Sequence, residues 1–413
     1  MATDVPAAVD TTAHRWLETA GLAGVLAFVA AVQFSLWAGE LLFWLTLLAW
    51  FGTLVAGRER FTAPTMFWPL AAYAGVTLVT VAFSLDPPTS LYSSKQLLLF
   101  LVVPVVYRFA RGSDRVNTVL TVIITVGALS AVLGVVQYGA LGYDSLSRRV
   151  QGSLGHWMTY SGLLLIVTVA TSARLLFARR DRTWPALIMP ALVVAIVVTS
   201  TRSVWMGAFV GIAVLFALKD LRLIAVAPVA AAVVLAIVLA LAPPALTERV
   251  HSVVSLKDPS SADRVAMLHA GARIIRDYPL TGVGLDNTKK VYRMYRDPGS
   301  LDWSAPHLHN VPVQIAAERG LPALCVWIWF IVALAIDLLR RFREDPDRVS
   351  SAAALGGLAA MLAAGMFEYN FGDSEFLMVF LTLVTLPFAA RASVPRESAP
   401  NDATMTTQQA MQP

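Results

Sequence analysis

NTVLTVIITVGALSAVLGVVQY, residues 117–138, runs for 22 positions without a charged side chain. A hydrocarbon core about 30 Å thick is crossed by about 20 residues of α-helix. Inside lipid every backbone N–H and C=O must find its partner within the segment, so a stretch of this kind reads as a membrane-spanning helix. Comparable runs recur on both sides of it, at approximately 20–37, 39–56, 66–84, 95–109, 158–177, 185–200, 203–218, 222–242, 321–338, 351–367 and 375–390. The expectation is an all-α polytopic membrane protein with about 12 spans.

Composition agrees. With 57% hydrophobic and only 14% charged residues, the chain has too little polar surface for a water-soluble globule. The net charge of +5 comes from arginines in short clusters at span ends, which is a topology signal and excludes a nucleic-acid partner. If the N-terminus is cytoplasmic, the inside connections carry Arg58 and Arg60; Arg108, Arg111 and Arg115; Arg179, Arg180 and Arg182; Lys219 and Arg222; and Arg340, Arg341, Arg343 and Arg348. The outer connections are poorer in positive charge. No signal-peptide cleavage site follows the first apolar run, which is therefore read as a span. Cys325 is the single cysteine, which excludes an intrachain disulfide and a thiolate cluster, and it is read as a buried small hydrophobe.

The organisation that follows is a cytoplasmic tail over 1–19, a bundle of about nine helices over 20–242, a large outer loop over 243–320, a bundle of about three helices over 321–390, and a disordered tail over 391–413. No internal repeat is visible, which argues against a transporter built from inverted halves.

Four of the six histidines lie in the large loop. Its segment from Pro259 looks like a helix start, with Ser260 as cap and Asp263 three positions on. Val265, Leu268, Ala272 and Ile275 would form one apolar stripe, giving an amphipathic helix that ends before Pro279 and lies along the membrane surface or the tops of the spans. Arg264, placed in the first turn, either helps a helix N-terminus hold a phosphate, or snorkels, or pairs with Asp263 or Asp277. Pro279-Leu280-Thr281-Gly282-Val283-Gly284 is a tight turn, followed by a basic, aromatic stretch, Lys289 to Arg296, read as an interfacial tyrosine belt or a contact with an anionic headgroup or sugar.

Then comes Pro306-His307-Leu308-His309-Asn310-Val311-Pro312. Asn310 is a good N-cap, Pro312 fits the first turn, and Gly320 can end the helix in a left-handed conformation. Gln314 and Glu318 share the Asn310 face. His309, just ahead of the cap, is held where an imidazole can exchange protons near neutral pH, or is structural. A metal on the His-x-His pair is disfavoured because no third ligand has suitable spacing.

Arg202, in the short outer connection Thr199-Ser200-Thr201-Arg202-Ser203, is an arginine at membrane depth, where charge is costly and serves function or a partner. Glu368, Asp373 and Glu375 flank the last outer turn, where they orient an arginine, contact an acceptor or are solvated. Arg148, Arg149 and His156 lie on the same outer side without an assigned role. His14, His251 and His269 are read as structural.

In these residues the chain resembles the O-antigen ligase and polymerase superfamily of bacterial envelope glycosyltransferases. His309-Asn310, nine residues and Gly320 look like its signature His-[Asn/Ser/Gln]-x9-Gly. Arg202 in Thr-Arg-Ser-x-Trp, Arg264 ahead of the Pro279–Gly284 turn, and the acidic turn before the last span are similar too. Ala323 departs from the glycine, threonine or tyrosine that the signature carries there. The resemblance implies a GT-C-like helical fold in the bacterial inner membrane with a periplasmic active site. It also implies transfer of O-antigen polysaccharide from undecaprenyl diphosphate to the lipid A-core oligosaccharide, with inversion, without cofactor or metal.

On that reading Arg202 and Arg264 hold the diphosphate and His309 is the general base. Asn310, Gln314, Glu318, Glu368 and Asp373 complete the substrate-binding set. The rival readings are a polymerase that joins repeat units and a protein O-oligosaccharyltransferase. A lipid-linked sugar transporter belongs to another class and predicts ionisable residues near span midpoints, whereas here they gather at the outer ends.

Overall fold

A computed structural model describes residues 11–55, 60–145, 148–226, 259–298 and 305–392, with scattered positions from 228 to 236. Apart from a 3-10 turn at Leu221–Ala225, the expected span at 222–242 lies outside the described residues, as do His251, the His14 side chain and the tails at 1–10 and 393–413.

The described chain is helical, with no strand among its described residues. Its helices are α1 (Thr11–Ala31), α2 (Leu36–Val55), α3 (Phe67–Val81), α4 (Pro87–Ser93), α5 (Val102–Phe109), α6 (Ser113–Leu141), α7 (Trp157–Phe177), α8 (Thr183–Val198), α9 (Arg202–Lys219), α10 (Pro259–Asp277), α11 (Thr288–Tyr295), α12 (Val311–Glu344), α13 (Val349–Gly365) and α14 (Ser374–Ala390). Six segments are long and apolar enough to cross a bilayer: Leu36–Val55, Pro87–Phe109, Ser113–Leu141, Trp157–Phe177, Arg202–Lys219 and Val311–Glu344. The shorter apolar helices are Trp16–Ala31, Phe67–Val81, Thr183–Val198, Val349–Gly365 and Ser374–Ala390. This is a multi-pass membrane protein. The expected span at 95–109 is built in pieces, α4, a 3-10 turn over Ser94–Leu101, and α5.

Arginine-bearing helix ends meet one another at one end of the bundle. At the basic end Arg108 pairs with Glu18, Arg391 pairs with Asp345 and Glu344, and Arg111 donates to Thr62. At the other end Ser153 donates to the Phe34 carbonyl, Gln96 to that of Gly372, and Thr159 to Asp373.

Helices in lipid gain from close backbone approach, which small residues allow. α13, rich in alanine and glycine, packs against α9 through Gly207 and Gly211. A Cβ on Gly207 would stand 2.9 Å from the Ala360 carbonyl, and one on Gly211 3.0 Å from that of Gly356. This contact holds the Arg202 end of α9 beside the turn that leaves α13.

The large loop folds onto the bundle through a small core of Met267, Ala270, Ile274, Val283, Val291, Tyr292, Leu308 and Ala317. The predicted stripe on α10 is thereby corrected. Val265, Leu268 and Ala272 face outward, and the buried face is rotated to Ala266, Met267, Ala270 and Ile274. Both faces are apolar, and what decides is which one meets α11 and α12. Ser260 is already inside α10, so it is not the cap, and Arg264 falls in the second turn rather than the first.

Two further expectations change. Tyr292 is fully buried in the loop core rather than part of a surface belt, while Lys290 clamps Asp86 and Lys289 pairs with Asp286 at 2.7 Å. Cys325 is exposed on α12, not buried.

The turn at Pro279–Gly284 is locked across α12. Val283 N–H donates to Ala317 O and Gly284 N–H to Glu318 O, both at 2.9 Å, and Leu321 N–H donates to Pro279 O at 2.7 Å. At the crossing Gly320 takes φ +79 and ψ +170, which breaks α12 into two helical parts. A Cβ there would lie 2.2 Å from the Leu280 carbonyl oxygen. On the far side, the buried Asn287 amide donates to Ser84 at 2.8 Å and Ser90 at 3.2 Å, fastening the loop to the corner before α4.

Candidate active site

The chain enters α12 through a strained corner. His309 has φ +49, a region that costs a non-glycine residue of order 1–3 kcal/mol. Asn310 follows as the predicted cap. Its Oδ1 accepts from Val313 N–H at 2.9 Å, and its Nδ2 donates to the Met366 carbonyl at 3.0 Å. The cap therefore joins the start of α12 to the end of α13, where the chain turns into Glu368.

That junction sets His309 against Glu368. His309 Nδ1 lies 3.4 Å from Glu368 Oε1, with the side chains only 15% and 12% exposed. The spacing suits charge pairing rather than a formed hydrogen bond. Among the described residues, His309 Nδ1, His307 Nδ1 and Glu368 Oε2 are all buried without a hydrogen-bond partner. The His307 ring meets that of His309 edge to face, with centroids 4.3 Å apart. Burial pushes the His307 imidazole down to about 4, and the neighbouring charge of His309 acts the same way. For Glu368 burial works upward, yet His309, His307 and Arg264 outweigh it and hold the carboxyl below its usual range.

One expectation is overturned here. A third group of metal-ligand type does stand beside the His-x-His pair: a ring nitrogen of His307, one of His309 and an oxygen of Glu368 lie within 4.8 Å of one another. Spacing along the chain hid it, because Glu368 arrives from a different pair of helices.

The arginines approach from other elements. Arg202 opens α9 and is 6% exposed. The charge of Arg264, on α10, acts on both His307 and Glu368. A third arginine joins them. Burial pushes the Arg149 guanidinium down, and the like charges of Arg264 and Arg202 push it further the same way. Arg149 sits 5.1 Å over the Trp157 ring, which stacks on His156 at 4.9 Å. Cations gathered against their mutual repulsion suit an anionic group between them. The signal for Arg149 was present in the sequence: a pair of arginines on the outer side, where the charge rule expects few.

Other predicted residues have different surroundings. Gln314 Oε1 accepts from Leu308 N–H at 2.7 Å, and Glu318 Oε1 from Asp286 N–H at 2.9 Å while its Oε2 pairs with Arg319 at 3.2 Å. Both are buried, and these bonds help shape the loop. Asp373 caps α14 through Phe376 N–H at 2.9 Å and accepts from Thr159; burial pushes its carboxyl up. It lines a narrow cavity with Thr159, Thr201, Ser203, Glu368 and Asn370. That cavity joins the Arg202 end of α9 to the Glu368 turn.

Residues 185–328 match a family model described as O-antigen ligase. The range contains Arg202, Arg264 and His309 but stops short of Glu368. No curated protein matches the chain. The matched range is about a third of the chain, and it likens this region to the O-antigen ligase family.

Proposed function

We propose that the protein is an O-antigen ligase of the bacterial inner membrane, with a GT-C-like bundle and its site on the periplasmic side. It transfers O-antigen polysaccharide from undecaprenyl diphosphate to the lipid A-core oligosaccharide. The observation that carries this reading is the meeting of a strained, partly buried His309 with Glu368 in the field of Arg264, beside Arg202 and Arg149.

In the proposed step an acceptor hydroxyl oxygen attacks the anomeric carbon opposite the diphosphate. The new glycosidic bond forms as the bond from that carbon to the diphosphate oxygen breaks, inverting the configuration. Glu368 faces Nδ1 of His309 and keeps the ring proton there, so that Nε2 is free to accept the hydroxyl proton. Arg202 and Arg264 stabilise the negative charge that grows on the departing diphosphate, as preorganised donors do in a site shielded from water. The step requires no metal, since arginines serve the role that a cation serves in other diphosphate chemistry.

A deletion strain tests the reading. Loss of all lipid A-attached O antigen, with carrier-linked chains of normal length accumulating, supports a ligase. Cores bearing a single repeat unit would instead identify a polymerase.

A further inference from the structure

We propose that His307, His309 and Glu368 form a binding site for a divalent transition-metal ion of the Zn2+ class, and that its occupation inhibits the enzyme. The donor set is two imidazoles and one carboxylate, with donor atoms within 4.8 Å of one another. Nitrogen-rich sets of this kind select Zn2+, Ni2+ or Cu2+, while Mg2+ and Ca2+ prefer oxygen ligands throughout.

The distances are close to those required. Zinc–nitrogen and zinc–oxygen bonds of about 2.0–2.1 Å in a tetrahedron put ligand atoms about 3.3 Å apart. The His309–Glu368 edge is already 3.4 Å. The widest edge need contract by about 1.5 Å at most from 4.8 Å. Each of the three residues also keeps a buried atom that makes no hydrogen bond among the described residues: Nδ1 of each histidine and Oε2 of Glu368. Buried polar atoms are ordinarily paired, and three such atoms on neighbouring side chains suit a ligand. Three protein ligands leave a tetrahedral ion one further position, which water would take.

Inhibition follows from the tautomer. A neutral imidazole bound through one nitrogen carries its proton on the other. A metal on Nδ1 of His309 would place that proton on Nε2 and remove the lone pair that takes the hydroxyl proton. The ion would also remove Glu368 from Nδ1. This inhibitory consequence rests on the transfer reading above, whereas the metal site itself does not.

Chelator-treated full-length protein in detergent is titrated with ZnCl2 by calorimetry, and with CoCl2 by visible absorption. One equivalent of Zn2+ should bind, unaffected by millimolar-range Mg2+. Cobalt should give the intense bands of a four-coordinate ion. Changes to residues that only support zinc ligands already cost about 10–100-fold in affinity, so His307→Gln and Glu368→Gln should each cost at least about tenfold. In transfer with lipid-linked donor and lipid A-core acceptor, Zn2+ should inhibit and chelator should restore the rate. Absence of binding, binding unaltered in both variants, or a weak six-coordinate cobalt spectrum overturns the site. Stimulation by Zn2+ overturns the inhibitory role. Binding by a protein that transfers nothing under any condition upholds the site and defeats the transfer reading instead.

Discussion

Replacing Gly320 by alanine tests the construction of the whole outer site. The residue stands at φ +79 and ψ +170, outside every region that L-residues favour, so the added side chain costs about 1–3 kcal/mol from the backbone alone. Its Cβ would lie 2.2 Å from the Leu280 carbonyl oxygen and 2.4 Å from its carbon. These are backbone atoms, which cannot rotate away, and overpacking of this sort adds about 1–3 kcal/mol. The sum, about 2–6 kcal/mol, is comparable with the hydrogen bonds that pin the turn at Val283, Gly284 and Leu321, each of which contributes about 0.5–1.5 kcal/mol net.

The Pro279–Gly284 turn should therefore lift off α12 and carry α10, with Arg264, away from His309. The control is Gly75→Ala in α3, where no atom lies within 4 Å of the new Cβ and the helix should gain about 0.5–1 kcal/mol. Size-exclusion chromatography of detergent-solubilised protein after graded heating should show Gly320→Ala losing its monodisperse peak well below wild type and Gly75→Ala at or above it. Transfer measured at a temperature where Gly320→Ala is still folded should also fall. Equal melting of the two variants would refute the geometry.

His309→Ala, Arg202→Ala and Arg264→Ala should insert and fold yet fail to restore O antigen in a deletion strain; general-base loss alone is worth on the order of 10²–10⁴ in rate. Full complementation by His309→Ala ends the general-base proposal. Asn310→Ala removes a cap worth about 0.5–2 kcal/mol together with the tie to Met366, so it should lower thermal stability, whereas a substrate-contact role would leave stability untouched and raise KM. Gly211→Val would push α9 from α13 at a cost of about 1–3 kcal/mol and should be read in the same melting assay; wild-type melting contradicts the close packing. The Asp86 carboxyl is held down to about 2, first by Lys290 and then by Thr89. A depressed carboxyl stabilises the native state above its ordinary value of 3.8 and loses that contribution only as pH falls toward 2. Protease nicking of the outer loop should thus be constant between pH 8 and 5 in wild type and raised equally at both in Asp86→Asn.

What the sequence made legible was local. The uncharged run at 117–138 is a helix because lipid leaves the backbone no alternative, and α6 covers it. Asn310 caps and Gly320 breaks because those roles are set by the residue and its immediate neighbours. What lay beyond reach was set by partners distant in the chain. The buried face of α10 differs from the predicted one because α10 is apolar on more than one side, and only the position of α11 and α12 chooses between them. Glu368 meets His309 because Asn310 holds Met366, a contact that no spacing rule describes. The same distinction separates roles among the predicted site residues. Gln314, Glu318 and Asn310 each accept a backbone N–H, so these side chains also serve the fold. Among the described residues His307, His309 and Glu368 each keep a buried atom without a hydrogen bond. Since such atoms cost free energy when left unpaired, their persistence at one point of the bundle is the strongest physical reason to expect chemistry there.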